Sequence, residues 1–130
     1  MEKKVSILNN RSILKISGKD SLLFLNNIIS SDLEKINHEE LFITTLLSPQ
    51  GKILFDFFII KNNDNYFIEC SKNQLNDLIS KLKLYSLRLD VTFEKEDFDV
   101  IISNYFYQHE ISRKDVRFNK GDIYRHFTKS

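Results

Sequence analysis

Cysteine and proline occur once each, glycine three times and tryptophan not at all in this 130-residue chain, and each scarcity removes a class of explanation. A single thiol, Cys70, rules out an internal disulfide framework and suits a reducing compartment. The histidines, His38, His109 and His126, are too scattered to show metal-ligand spacing. With glycine only at 18, 51 and 121, no phosphate-cradling loop is present. The same scarcity leaves no low-complexity linker, and no internal repeat is found. No apolar run approaches the ~18 residues of a membrane span, and the apolar part of MEKKVSILNN is too short for a signal-peptide core. The expectation is a cytoplasmic protein without a membrane partner.

Net charge is equally small. The net value of +1 gives no overall electrostatic footprint for nucleic acid. Its distribution is uneven: residues 111–130 hold six cations against two anions, a balance of +4 that leaves −3 for the preceding 110 residues. A solvated terminal segment accounts for this, and contact with phosphate or an acidic partner is the alternative.

What the chain does have is apolar alternation. Leu41 to Ile60 reads as two strands facing each other across Ser48-Pro49-Gln50-Gly51, where proline cannot donate to a ladder and glycine is free to take positive φ. The second arm is apolar on both faces, so Asp56 falls where a carboxylate must be paired, hydrogen-bonded or used as a ligand group. Before it, Val5 to Leu8 and Ser12 to Ile16 alternate around Asn9-Asn10-Arg11, predicting a small hairpin. Leu22, Leu25, Ile28 and Ile29 at helical spacing predict a helix from about Asp20 to Ile29. After the hairpin, Tyr66 to Cys70 predicts a strand. Ser71-Lys72-Asn73-Gln74 has the form of a capping box, and Leu75, Leu78, Ile79, Leu82 and Tyr85 carry a second helix over about Lys72 to Leu84. Val91 to Glu94 and Phe98 to Ile102 alternate like strands; beyond Ser103 the pattern weakens, with Val116 and Phe118 a candidate short strand. A chain of this length buries roughly two thirds of its unfolded surface as one domain. Hairpin-linked strands interrupted by helices predict an α+β fold, mainly antiparallel sheet with two principal helices packed against it.

Catalytic signatures are absent: nothing sets Cys70 or a serine beside a histidine, and Glu39-Glu40 and Glu94 to Asp97 lie in polar stretches. A binding set is better supported. Asp56, Gln50 at the turn, and Tyr85 with Arg88 combine an acceptor, an amide, an aromatic face and a cation. Such a set suits a flat heteroaromatic ring with donor nitrogens and a carboxylate tail. Each also has a plain structural role, Tyr85 as a helix-end anchor and Arg88 as a surface cation.

Ile16-Ser17-Gly18-Lys19-Asp20 with Phe24-Leu25 and Ser31-Asp32-Leu33, then Leu46 to Phe57 and Leu82 to Arg88, resemble the amino-terminal part of the YgfZ-like folate-binding proteins, relatives of the glycine-cleavage T-protein, an aminomethyltransferase. The resemblance runs from about Arg11 to Val91. More faintly, Asp115-Val116-Arg117 with Gly121 and Arg125 resembles the lead into the family's next subdomain. The resemblance implies a domain over 1–102 followed by a basic tail over 103–130. It implies tetrahydrofolate or a derivative as ligand, with Asp56, Gln50, Tyr85 and Arg88 at the folate site. It also implies a part in iron–sulfur cluster assembly or repair and in tRNA modification, with cluster-assembly proteins as partners. Where the transferases carry adjacent aspartates this chain has Phe55-Asp56, which favours binding over catalysis. The family's cysteine signature is not reached, and Cys70 is not that cysteine. A truncated chain and a site completed by self-association of two copies remain alternatives. So do two other functions, a T-protein-like aminomethyltransferase fragment and an interaction module that binds no folate.

Overall fold

A computed structural model describes residues 2–117 and 121–129 of the chain. Nine strands and two helices follow one another as β1 (Val5–Leu8), β2 (Arg11–Ser17), α1 (Ser21–Ile28), β3 (Phe42–Leu47), β4 (Ile53–Asn62), β5 (Asn65–Ser71), α2 (Leu75–Tyr85), β6 (Thr92–Glu96), β7 (Phe98–Ser103), β8 (Ile111–Lys114) and β9 (Tyr124–Lys129). They form two antiparallel sheets, a five-stranded one in the order β3-β4-β5-β2-β6 and a four-stranded one in the order β1-β7-β9-β8. The α+β class is as expected; the sheet is double rather than single.

Side-chain alternation divides the apolar residues between two layers. Leu14, Ile16, Phe57, Ile59 and Ile68 meet Phe24 and Leu25 of α1 and Leu78 and Leu82 of α2. Ile13, Phe58, Ile60 and Phe67 point the other way, onto Val100, Ile111 and Phe127 of the second sheet. The run Phe57-Phe58-Ile59-Ile60 is continuously apolar because β4 is covered on both faces there. No helix of the described residues is long and apolar enough to cross a membrane.

The central hairpin forms as expected. β3 and β4 pair from Phe42↔Ile59 to Leu47↔Ile53 with a bulge at Leu46/Leu47. Its turn is closed by Ser48, whose Oγ accepts from the Gln50 and Lys52 amides at 3.2 and 3.1 Å, while Gly51 takes φ +85°. Helix α1 lies within its expected range, but the Asp20 side chain does not cap it. That carboxylate accepts instead from the Asp90 amide at 2.8 Å. Gly18 is pressed so closely to the same segment that a Cβ there would stand 2.2 Å from the Asp90 oxygen.

Three other expectations are corrected. β1 and β2 are not a hairpin: β1 pairs with β7 and β2 with β5 and β6, so Asn9-Asn10 carries the chain from one sheet to the other. Asp97 makes the return crossing between β6 and β7. The capping box does not form; a 3₁₀ turn at Lys72–Gln74 precedes α2, and the Ser71 hydroxyl turns to the Asn73 side chain. Finally, the segment expected as a solvated basic tail supplies β8 and β9 of the second sheet, and Arg113 and Arg125 are buried in it. The pattern there is hard to read because the short strands Ile-Ser-Arg-Lys and Tyr-Arg-His-Phe-Thr-Lys are mostly polar, with only a few large apolar residues. Val116 lies in a turn, and Phe118 and Lys120 fall outside the described residues.

Candidate functional site

A cluster of buried charges lies between the sheets. Glu69 sits on β5 opposite Phe58 of β4 and Ile13 of β2, facing the second sheet, and it is wholly buried. A carboxylate can occupy that position only with strong compensation. Arg11, at the start of β2, donates through Nε at 2.6 Å. Arg125, across the interface on β9, donates through Nε at 2.6 Å and Nη2 at 2.9 Å, a two-pronged pair that fixes the guanidinium plane. Asp115, also buried, receives Nε and Nη2 of Arg117 at 2.9 and 2.6 Å and lies 3.8 Å from Nη1 of Arg125. Burial pushes the Asp115 carboxyl up, but the bonds and charge of Arg117, with Arg125 beyond, outweigh it and hold the carboxyl below its usual range.

These two carboxylates hold three guanidiniums around one ring. Arg125, Arg117 and Arg11 lie 4.7, 4.9 and 5.8 Å from the centre of Phe58. Beside them opens a cavity of about 220 Å³, lined by the three arginines with Phe57, Phe58, Ile43 and Asp56.

Asp56 is thus in the cavity wall, yet exposed rather than covered on both faces. The reason is strand length: β5 pairs with β4 only from Phe58 to Asn62, so Ile53 to Phe57 project past it. Tyr85 lies elsewhere. It lines a separate cleft of about 470 Å³ with Ile28, Asn27 and the turn residues Leu47, Ser48, Pro49 and Gly51. Gln50 is exposed at the tip of that turn, and Arg88 is exposed after α2 with φ +73°; neither lines the two cavities. The structure therefore gathers Asp56 with Arg11, Arg117 and Arg125, and separates it from Tyr85. The arginines were missed, although one signal was available: Glu69 interrupts an apolar strand just as Asp56 does, and it is Glu69 that is buried.

A second polar centre lies behind the four-stranded sheet. His126 is wholly buried, with Ser103 Oγ 2.8 Å from Nε2 and Ser112 Oγ 2.8 Å from Nδ1. Each serine also has a carbonyl acceptor, Ser103 Oγ donating to Tyr105 at 2.7 Å and Ser112 Oγ to Tyr107 at 3.2 Å. Tyr107 covers the imidazole at 4.2 Å. Burial, with His109 beside it, pushes the His126 pKa down to about 4. Both ring nitrogens serve the fold. Cys70 is buried as expected, and burial pushes its thiol up to about 11, an inert side chain.

As to fit, Asp56 presents acceptor oxygens, and Arg11 and Arg125 have donors beyond those given to Glu69. That is the complement of a flat ring bearing both N–H and carbonyl groups. The cavity is smaller than the ~300–1,000 Å³ that encloses a ligand of drug size, so it accommodates a ring and leaves a tail outside.

No family model matches the chain. Its sequence is 30% identical over 105 residues to the iron–sulfur cluster assembly factor IBA57 homolog, mitochondrial, of Coccidioides immitis, covering 69% of this chain and 25% of that protein. It is 30% identical over 53 residues to an aminomethyltransferase of Caldanaerobacter subterraneus subsp. tengcongensis, covering 41% of this chain and 14% of that one. In three dimensions it superposes on the glycine cleavage system aminomethyltransferase T of Bartonella henselae with a TM-score of 0.79, 98% of this chain on 42% of that chain, at 8% identity. The chain thus spans a quarter or less of these two curated relatives. It has the fold of part of the glycine-cleavage aminomethyltransferase, and its sequence is similar to parts of aminomethyltransferases and of iron–sulfur cluster assembly factors.

Proposed function

We propose that this chain binds a reduced folate, tetrahydrofolate or a derivative, and acts as a YgfZ-like accessory to iron–sulfur cluster assembly or repair, and through it to tRNA modification. The observation that carries the reading is Asp56 at the wall of a cavity whose other polar groups are guanidiniums held in place by buried Glu69 and Asp115. Asp56 accepts ring N–H groups, Arg11 and Arg125 donate to ring carbonyl oxygen, and Phe58 and Ile43 exclude water from the edges. The arginines do not need to move, because their ion pairs with Glu69 and Asp115 fix them before the ligand arrives.

Catalysis of aminomethyl transfer is the weaker reading. Its adjacent acids are reduced here to one, and Phe55, the neighbouring residue, packs against the helix-side core on the opposite face of β4. The similarity to assembly factors over 69% of the chain supports the accessory role. Gln50, Tyr85 and Arg88 would then meet a ligand's tail or a second polypeptide rather than its ring.

Calorimetric titration of tetrahydrofolate or its formyl derivative tests this directly. Saturable heat with one site per chain, or one per two chains, is the expected result, and Asp56→Asn lowers affinity at least tenfold with an unchanged circular dichroism spectrum. No heat up to millimolar ligand refutes autonomous folate binding and leaves the interaction module.

A further inference from the structure

Two sheets have four edge strands, and an edge is a template for further pairing unless something blunts it. Three are blunted. β6 reads Thr-Phe-Glu-Lys-Glu, with Glu94 and Lys95 exposed. The free side of β8 is taken by residues 39–41: the Leu41 amide donates to the Lys114 carbonyl at 2.8 Å and the Lys114 amide to the Glu39 carbonyl at 2.9 Å. Along β3, Ile29 bridges to Leu46 and the Ser30 amide donates to the Thr45 carbonyl at 3.0 Å.

β1 has no such protection. It carries no charge, proline or bulge, and among the described residues only β7 pairs with it. Val5 and Ile7 stand 48% and 59% exposed on the outer face. The direction of its backbone follows from Lys4, whose amide and carbonyl both turn inward to Asn104, at 2.7 and 3.2 Å. Backbone groups alternate along a strand, so Ser6 and Leu8 also face β7, while the N–H and C=O of Val5 and Ile7 face the open edge.

We propose that β1 is the joint of a homodimer, in which two copies pair antiparallel about Ser6 to make one continuous eight-stranded sheet. A two-fold axis normal to the sheet keeps outer faces together, so outward residues must oppose outward residues. Centring on Ser6 sets Val5 against Ile7 of the second copy, and these are the residues whose hydrogen-bonding groups are free. The pair exchanges both bonds and recurs by symmetry, while the four apolar side chains close into one patch. Charge selects the same orientation. Antiparallel pairing sends Lys3 and Lys4 of the two copies to opposite ends of the joint, opposite Asn9 and Leu8, whereas parallel pairing would stack all four ammonium groups.

Analytical ultracentrifugation over a dilution series tests the joint, with hydrogen exchange of the β1 amides read alongside. The expected result is a species of twice the 15.4 kDa chain mass that dissociates on dilution. The Val5 and Ile7 amides should exchange fast in the dilute monomer and slowly in the dimer, and Ser6 and Leu8 slowly in both. Ile7→Pro removes an outward N–H and no β7 bond, so it should raise the dimer dissociation constant at least tenfold with an unchanged spectrum. Ile7→Lys should do the same without altering the backbone. A monomer at every concentration overturns the proposal, as does a dimer that both variants leave intact or one in which the Val5 and Ile7 amides stay unprotected.

Discussion

Replacing Glu69 by alanine should be among the most damaging single changes in this protein. The carboxylate accepts three charge-assisted bonds, one from Arg11 and two from Arg125. Arg11 is 19% exposed and can turn to water, but Arg125 is 9% exposed and, among the described residues, would keep Asp115 at 3.8 Å as its one anionic partner. Removing one partner of such a pair costs about 3–5 kcal/mol, because the other charge is left buried. Against a total of roughly 5–15 kcal/mol for a domain, that is about a fifth or more of the stability. It corresponds to a fall in melting temperature of about 10–20 °C at this chain length. Urea unfolding followed by far-ultraviolet circular dichroism is the suitable assay, since the chain has no tryptophan. The mechanism also makes a second demand. Glu69→Leu combined with Arg125→Met should recover much of the loss, because the cost is an unpaired charge rather than a missing contact. A loss below about 1 kcal/mol for Glu69→Ala, or a double variant as unstable as the sum of its singles, would refute the account.

Other perturbations have equally definite outcomes. The His126 pKa lies near 4 in the fold against an ordinary 6.5, so the unfolded chain binds the proton more readily; the contribution to stability is complete above 6.5 and is lost as pH falls toward 4. The ceiling is about 3 kcal/mol, and His126→Gln should flatten urea midpoints measured between pH 7 and 4.5. Gly18→Ala forces a Cβ to 2.2 Å from the Asp90 oxygen at φ +116°, and should lower stability by more than about 2 kcal/mol, visible in the same melts. Leu78→Ala, at a wholly buried position of α2, should cost about 2–5 kcal/mol. Cys70 should resist a maleimide at pH 8 until urea unfolds the chain, since burial holds its pKa near 11.

How much of this was legible in the sequence depended on whether partners were near or far along the chain. The β3–β4 hairpin was readable because Pro49 and Gly51 mark a reversal between two apolar runs, and local turn chemistry sets the pairing. Helices α1 and α2 were readable from apolar residues at helical spacing, though the capping box expected to start α2 does not form. The pairing of β1 with β7 was not, because Val5 and Ser103 meet across nearly the whole chain, and nothing in VSIL distinguishes a hairpin arm from a strand claimed by a distant partner. For the same reason Arg125 read as part of a solvated basic segment; its meeting with Glu69 on the other sheet explains its burial. Asp56 stood out as a carboxylate on a strand apolar on both faces and was expected to be covered there, whereas it lies exposed at a cavity wall. Its exposure depended on where β5 stops, and the sequence alone shows no such limit. Gln50, Tyr85 and Arg88 were grouped by chemistry, and the fold distributes them around the hairpin turn and the end of α2.

The crossing of β1 into the second sheet also bears on how the chain is made. Synthesis proceeds from the amino terminus, so β1 emerges before the other described strands, and its only described partner, Phe98–Ser103, emerges nearly a hundred residues later. Loop closure over that span is slow compared with forming the neighbouring β3–β4 and β4–β5 pairs. The five-stranded sheet and its helices can therefore consolidate while β1 waits with both sides unpaired. During that interval Val5 to Leu8 offers two open edges instead of one, so the same four residues that end the finished sheet are the stretch most exposed to mispairing between nascent chains.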